Sequence, residues 1–224
     1  DRDEKVLEYA ESKIRGLCDK YGERFFLFVR SRRQAPDGRW RGWERKRGAV
    51  LELIRFCRGD VGSFSAVPED CEFVSSARYL ITLDADTTLP IGAAHRLITA
   101  MLHPSAQPII EDGHVVRGHG IIQPRMVTTA RSASVTPFAV MCSGGGGADT
   151  YASAGYDTFQ SMYDEGNFCG KGIIDIDTYN ELLCDRFPEE TVLSHDLLEG
   201  IILRSAIDGE CRFSDSTPNN PVSF

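Results

Sequence analysis

Apolar positions at the start of the chain recur at helical spacing. Val6, Leu7, Ala10, Ile14, Leu17 and Cys18 fall at i, i+3, i+4 intervals and predict a helix over 3–21, stopped by Gly22. The aromatic, β-branched run at 24–30 then predicts a buried strand. Residues 34–47 are polar, contain glycine, and read as a long loop; 49–56 return to helix, and a loop leads on to Ser76. The run 79–83 ends at two aspartates and a proline, which predicts a buried strand. A helix over 91–102, stopped by Pro104, follows. Segments 107–110 and 115–124 predict strands, arranged as a hairpin. After an apolar stretch at 135–141 and a glycine run at 143–147, the expected elements are a helix over 151–163, a strand at 173–176 and a helix through Leu183. A helix over 195–207 and a short strand at 211–213 close the series. Strands alternating with helices point to an α/β fold with a mainly parallel sheet in its first half.

The stretch YLITLDADTTLP (79–90) organises the chemistry. Side chains alternate along a strand, so Asp84 and Asp86 are expected on one face with Ala85 opposed. Two neighbouring carboxylates repel unless a positive group lies between them. A hard cation such as Mg²⁺ suits carboxylate and phosphate oxygens, and ligands of open α/β sheets bind beyond the carboxyl ends of the strands. The bland alternative is a solvated turn that caps the next helix.

Composition adds bounds. The 224 residues suffice for one domain with a real core. No run approaches the ~18 apolar residues of a membrane span, so this stretch is expected to hold neither a span nor a signal peptide. It opens at Asp1, as a piece of something longer would. Seven scattered cysteines without a Cys-X-X-Cys pair read as reduced thiols, not as a disulfide frame or zinc site. The net charge of −8 argues against nucleic-acid binding. Yet residues 24–58 carry eleven bases against three acids, a basic segment that needs an anionic partner, either the acidic remainder of the chain or a phosphate ligand.

Three further clusters stand out. Glu44-Arg45-Lys46-Arg47 precedes a predicted helix, and bases at a helix start can cradle a diphosphate. Asp196 and Glu199 lie one turn apart on a predicted helix, with Asp196 in the first turn, where the dipole keeps it ionised and able to serve as a base. Glu111, Asp112, His114 and His119 fit no zinc spacing and read as a polar turn.

Five motifs in order, GWERKRGA, YLITLDADTTLP, GHGIIQPR, GKGIIDID and VLSHDLLEG, resemble the glycosyltransferase region of the cyclic β-1,2-glucan synthases (glycosyltransferase family 84), relatives of the processive family 2 enzymes. The resemblance implies a GT-A fold: a mixed sheet flanked by helices, here a partial catalytic domain over 1–224 within a larger multidomain membrane protein. It implies inverting transfer of glucose from UDP-glucose to a growing β-1,2-glucan, with Mg²⁺ or Mn²⁺ as cofactor. By the same resemblance Asp84 and Asp86 hold the metal, Lys46 with Arg45 and Arg47 meets the donor diphosphate, and Asp196 is the general base. Phe168, Cys169, Gly170 and Lys171 resemble the loop that meets the acceptor sugar. The full protein is then expected in the bacterial inner membrane, touching it through segments outside this chain, with this soluble region on the cytoplasmic face. Two features depart from the family pattern. The strands that hold uridine precede the first strand identified here, and the closing tryptophan/arginine motif falls beyond Phe224. Histidine at 195 also stands where relatives carry an acid. The competing readings are a processive transferase of another donor or linkage, and a non-catalytic sugar-nucleotide or glycan-binding module. A two-carboxylate hydrolase fits poorly, since Asp196 and Glu199 sit one turn apart and cannot flank a bond from both sides.

Overall fold

The structure, a computed structural model, describes residues 2–34, 38–60, 64–66, 72–142, 158–188, 191–192, 194–216 and 220. The chain divides into two compact units, Asp1–Ala77 and Arg78–Phe224. The glycine run at 143–147 lies outside the described residues, as does most of the helix expected over 151–163.

In the first unit, helix α1 (Arg2–Tyr21) ends as its spacing predicts. Gly22 takes φ +87°, and its amide returns to the carbonyl of Cys18 at 2.7 Å. The strand expected over 24–30 shrinks to β1 (Val29–Arg30). The aromatic residues before it find ring partners instead of a ladder. Phe28 packs on Phe56 and Phe64 at 5.4 and 5.3 Å, and Phe26 on Phe73 at 5.1 Å. Apolar content alone does not supply the neighbouring strand that a sheet requires. Within the expected long loop, β2 (Arg33–Gln34) and β3 (Trp40–Arg41) pair as a short antiparallel ribbon. Helix α2 (Arg45–Cys57) starts four residues earlier than its apolar pattern suggests and buries Leu51, Ile54 and Cys57. Strand β4 (Phe64–Ala66) pairs antiparallel with β1, and a 3₁₀ turn (Glu72–Ser76) ends the unit's regular structure.

The second unit holds the main sheet. It contains β5 (Tyr79–Thr82), α3 (Ala93–Leu102), the hairpin β6 (Ile109–Glu111) with β7 (His114–Arg117), β8 (Ile121–Thr128), and the short helices α4 (Ala130–Ala133), α5 (Pro137–Cys142) and α6 (Thr158–Tyr163). It continues with β9 (Gly172–Asp175), α7 (Ile176–Leu183), α8 (Asp196–Ile202) and β10 (Ala206–Asp215). The expected α/β class with a mixed sheet is borne out, but the mainly parallel sheet expected in the first half is not: β1 with β4 and β2 with β3 pair antiparallel, the second pair across a connection too short for the crossover that parallel strands need. The four strands stand in the order β10-β8-β9-β5. β10 lies parallel to β8, while β9 runs antiparallel to both β8 and β5. Three strands therefore point one way, and β9 alone is reversed. The carboxyl ends of β5, β8 and β10 share an edge with the amino end of β9.

Helix α3 packs on one face of this sheet. Ala93, Leu97 and Met101, at helical spacing, are buried with Ile122, Met126, Ile173, Cys211 and Phe213. Asp175, ending β9, caps α7 by accepting from the amide of Thr178 at 3.0 Å. Two boundaries differ from expectation. The predicted hairpin strand 115–124 breaks at Gly118, which takes φ +70° and leaves no room for a Cβ against the carbonyl of Gln107, 2.0 Å away. β6 and β7 form their own ribbon, and β8 joins the main sheet. The helix expected over 195–207 stops at Ile202. Arg204 turns left-handed at φ 49°, and the amide of Ser205 closes back on Gly200 at 2.8 Å. Ala206 and Ile207 then enter β10, ten residues long where three were expected. Among the described residues no helix is long and apolar enough to cross a membrane. Among the described residues Cys18, Cys57, Cys169, Cys184 and Cys211 stand outside any disulfide.

Candidate functional site

Ladder register decides what gathers at the sheet's edge. Thr82 of β5 pairs with Gly172 of β9, so the chain just past β5 and the chain just before β9 emerge side by side. Asp84 lies on the first segment and Gly170–Lys171 on the second. The Thr82 hydroxyl fixes the relation by donating to the carbonyl of Gly170 at 3.2 Å. Gly172 must be glycine, because a Cβ there would stand 2.5 Å from the carbonyl of Ile122 on β8.

Asp84 and Asp86 do not obey strand alternation. β5 ends at Thr82, and residues 84–87 form a turn closed by the amide of Thr87 donating to the carbonyl of Asp84 at 3.1 Å. The turn, not the pleat, sets the directions of the two carboxylates. Asp84 is half-buried and Asp86 is exposed.

Lys171 places its ammonium 3.1 Å from the Asp84 carboxylate and in contact with the carboxylate of Asp215, the last residue of β10. Burial works against the lysine's charge, but the hydrogen bonds and charges of Asp215 and Asp84 outweigh it and hold its pKa above the ordinary value. The other oxygen of Asp215 accepts the Thr87 hydroxyl at 2.7 Å. Thr88 and Ser214 exchange backbone hydrogen bonds at 2.8 and 3.3 Å. One carboxylate thus ties the aspartate turn to the last strand and to the loop before β9. Asp215 is a site residue that the sequence reading missed. The available cue was the alternation of buried Cys211 and Phe213, which marks a strand with an acid at its end.

Asp196 meets the same loop from α8. Its carboxylate oxygens lie 3.2 and 3.3 Å from where a Cβ on Gly170 would stand, and Gly170 has φ +77°. Asp196 is in the first turn of α8, with His195, buried, as the N-cap residue and no side-chain cap bond. Glu199 is buried and accepts the hydroxyl of fully buried Tyr179 at 2.8 Å. It braces α8 against α7 and does not share Asp196's exposure. The loop is buttressed from below. Phe168 is buried, and the amide of Cys169 donates to the side-chain oxygen of Gln123, itself buried on β8, at 2.6 Å.

Arg45, Lys46 and Arg47 belong to the first unit. They open α2 as expected, behind Glu44, which takes φ 50°. Arg45 and Lys46 are exposed, whereas Arg47 pairs with buried Glu44 at 3.7 Å. Arg30 donates to the carbonyls of Trp43 and Arg45 at 2.6 and 2.9 Å and pairs with buried Glu52, which also takes Arg33. Part of the basic segment's charge is thus met by its own acids. Glu111 and His114 face each other in the β6–β7 hairpin, a polar turn as read, but His119 lies beyond it, with a ring nitrogen 2.8 Å from the carbonyl of Arg204.

Asp84 and Asp86 supply hard oxygen donors, and the ammonium of Lys171 already occupies a cation's place at Asp84. These residues fit Mg²⁺ or Mn²⁺. Among the described residues no three His, Cys, Asp or Glu side chains gather as a metal site.

The fold and this edge define an α/β protein with a polar, mixed-charge site built where strand ends meet. No protein-family model matches the chain. It is 36% identical over 231 residues to the cyclic beta-(1,2)-glucan synthase NdvB of Rhizobium meliloti (strain 1021), a match that takes in 96% of this chain and 8% of that protein. The resemblance read from the motifs is borne out: the chain is similar to one region of a cyclic β-(1,2)-glucan synthase.

Proposed function

We propose that this chain is the sugar-transferring part of a cyclic β-(1,2)-glucan synthase. In this reading it has a GT-A-type fold and moves glucose from UDP-glucose to the end of a growing β-1,2-glucan, with inversion at the anomeric carbon. One observation carries the reading: at one edge of a mixed sheet Lys171 pairs with Asp84, while Asp196 closes on the adjacent Gly170. The similarity to NdvB supports it.

Asp84 and Asp86 hold a divalent cation against the donor diphosphate. When bound, that cation supplies positive charge against the negative charge growing on UDP as it leaves. Asp196 accepts the proton of the acceptor hydroxyl as that oxygen attacks the face opposite the leaving group. Phe168 to Lys171 lie alongside the acceptor sugar, with Gly170 leaving the space through which Asp196 reaches it. Segments outside this chain anchor the whole protein in the inner membrane, with this region toward the cytoplasm.

The test uses the protein extended past both ends of this chain. UDP release from UDP-glucose with Mg²⁺ or Mn²⁺ is compared between wild type and Asp84→Asn/Asp86→Asn, and the product linkage is determined. Metal-dependent release that the double variant loses supports the transferase. A folded protein that releases nothing from any common sugar nucleotide shifts the reading to a glycan-binding module.

A further inference from the structure

We propose that Lys171 is an exchangeable counter-ion for Asp84, one that a divalent cation displaces onto Asp215. The inference rests on the reading of Asp84 as a cation ligand.

Three side chains carry it. Lys171 has its ammonium 3.1 Å from Asp84 and in contact with Asp215, and is only 14% exposed. Asp84 is the most open of the three at 36%, and Asp215 is 23% exposed. An arriving cation therefore reaches Asp84 from solvent, while the ammonium is enclosed between its two acids.

Asp215 is fixed from several sides, through the Thr87 hydroxyl at 2.7 Å on its other oxygen and through the Thr88–Ser214 pairing beside it. Lysine is a point charge on a flexible stem with three donors, so it can release one acceptor and keep another. A half-buried carboxylate is favoured in its charged form by a positive group beside it. Lys171 is such a group at Asp84 before the ligand arrives, and Asp215 keeps the ammonium paired afterwards.

Counted over Asp84, Asp86, Asp215 and Lys171, three carboxylates and one ammonium sum to −2, so a dication enters a site that still attracts it. The ammonium, retained on Asp215, then remains beside Gly170 in the loop that Asp196 faces.

Mn²⁺ binding in the presence of UDP tests the exchange, read by electron paramagnetic resonance of free Mn²⁺ and by calorimetry on the full-length protein. Asp84→Asn defines the background. Lys171→Met, with this competitor gone, is expected to bind Mn²⁺ about twofold to fivefold more tightly, the range of a partly exposed ion pair. Asp215→Asn, which leaves Lys171 only Asp84 to hold, is expected to bind more weakly by a similar factor. The decisive variant combines the two: Asp215→Asn is expected to have no effect on Mn²⁺ affinity once Lys171 is methionine. Equal effects of Asp215→Asn with and without Lys171 overturn the exchange in favour of a general field, as does unchanged or weaker binding by Lys171→Met. If Lys171→Met does not fold, Lys171→Gln replaces it with the same expected sign. Mn²⁺ binding by Asp84→Asn equal to wild type overturns instead the assignment of Asp84 as ligand.

Discussion

The carboxylate of Asp196 stands 3.2 Å from the point where a side chain on Gly170 would begin. These residues come from different elements, and their closeness explains why the loop carries glycine there. A methyl group would press on the carboxylate, and the backbone at φ +77° already disfavours any side chain. Gly170→Ala is expected to lower turnover at least tenfold and cost roughly 1–2 kcal/mol of stability. Kinetics and urea unfolding, measured together, check it. A variant as active as wild type would show that Asp196 does not work through this gap.

Asp196→Asn keeps the shape and removes the base. Turnover is expected to fall by about 10²–10⁴-fold, with UDP affinity nearly unchanged. Calorimetric titration with UDP separates the two effects. Should donor binding weaken as far as it does in Asp84→Asn, Asp196 belongs with the donor side and the base lies elsewhere.

Glu199 depends on Tyr179. The phenol donates to a carboxylate that is 5% exposed. Tyr179→Phe leaves that carboxylate short of a donor, at a cost of about 1–3 kcal/mol. The expected outcome is a lower urea midpoint with an unchanged slope, and a smaller loss of activity than in Asp196→Asn. An unchanged midpoint would mean that water takes the place of the phenol.

Asp208 ties β10 to α3. Burial alone would raise its pKa, but the Arg96 guanidinium, bound at 2.6 and 2.9 Å, and the amides of Cys211 and Glu210 bring it below the ordinary 3.8. A lowered folded-state value means that this stabilisation is complete above pH 3.8 and disappears as pH falls below it toward the folded-state value. Asp208→Asn is therefore expected to lose stability at neutral pH and to flatten the acid limb of the stability curve below pH 3.8. Unfolding midpoints from pH 2 to pH 7 decide; parallel curves for the two proteins would remove Asp208 from the acid response.

Much of the fold is legible locally. Helices α1, α3 and α7 follow from apolar spacing and from terminators such as Gly22 and Pro104, read within a few residues. Strands β5 and β9 follow from short apolar runs. Where the reading went astray, the deciding contact was distant. The aromatic run before β1 looks like a strand, but ring packing takes up its side chains. The end of α8 is hidden because Ala206 and Ile207 continue a helical pattern, while their ladder partners Ile122 and Gln123 lie far back in the chain.

The site divides in the same way. The sequence by itself determined the chemistry on offer: two aspartates after a strand, a lysine in a glycine-flanked loop, and an acid opening a short helix. Type and spacing are local properties, so composition and motif order carry them. Only the tertiary structure decided which of these meet. Lys171 and Asp215 are 44 residues apart, and Thr87 and Asp215 are 128 apart. Their contacts exist because β9 runs against its neighbours while β10 lies parallel to β8, which brings the start of one strand to the ends of the others. Strand direction and order come from pairing across the whole chain, and no local pattern encodes them.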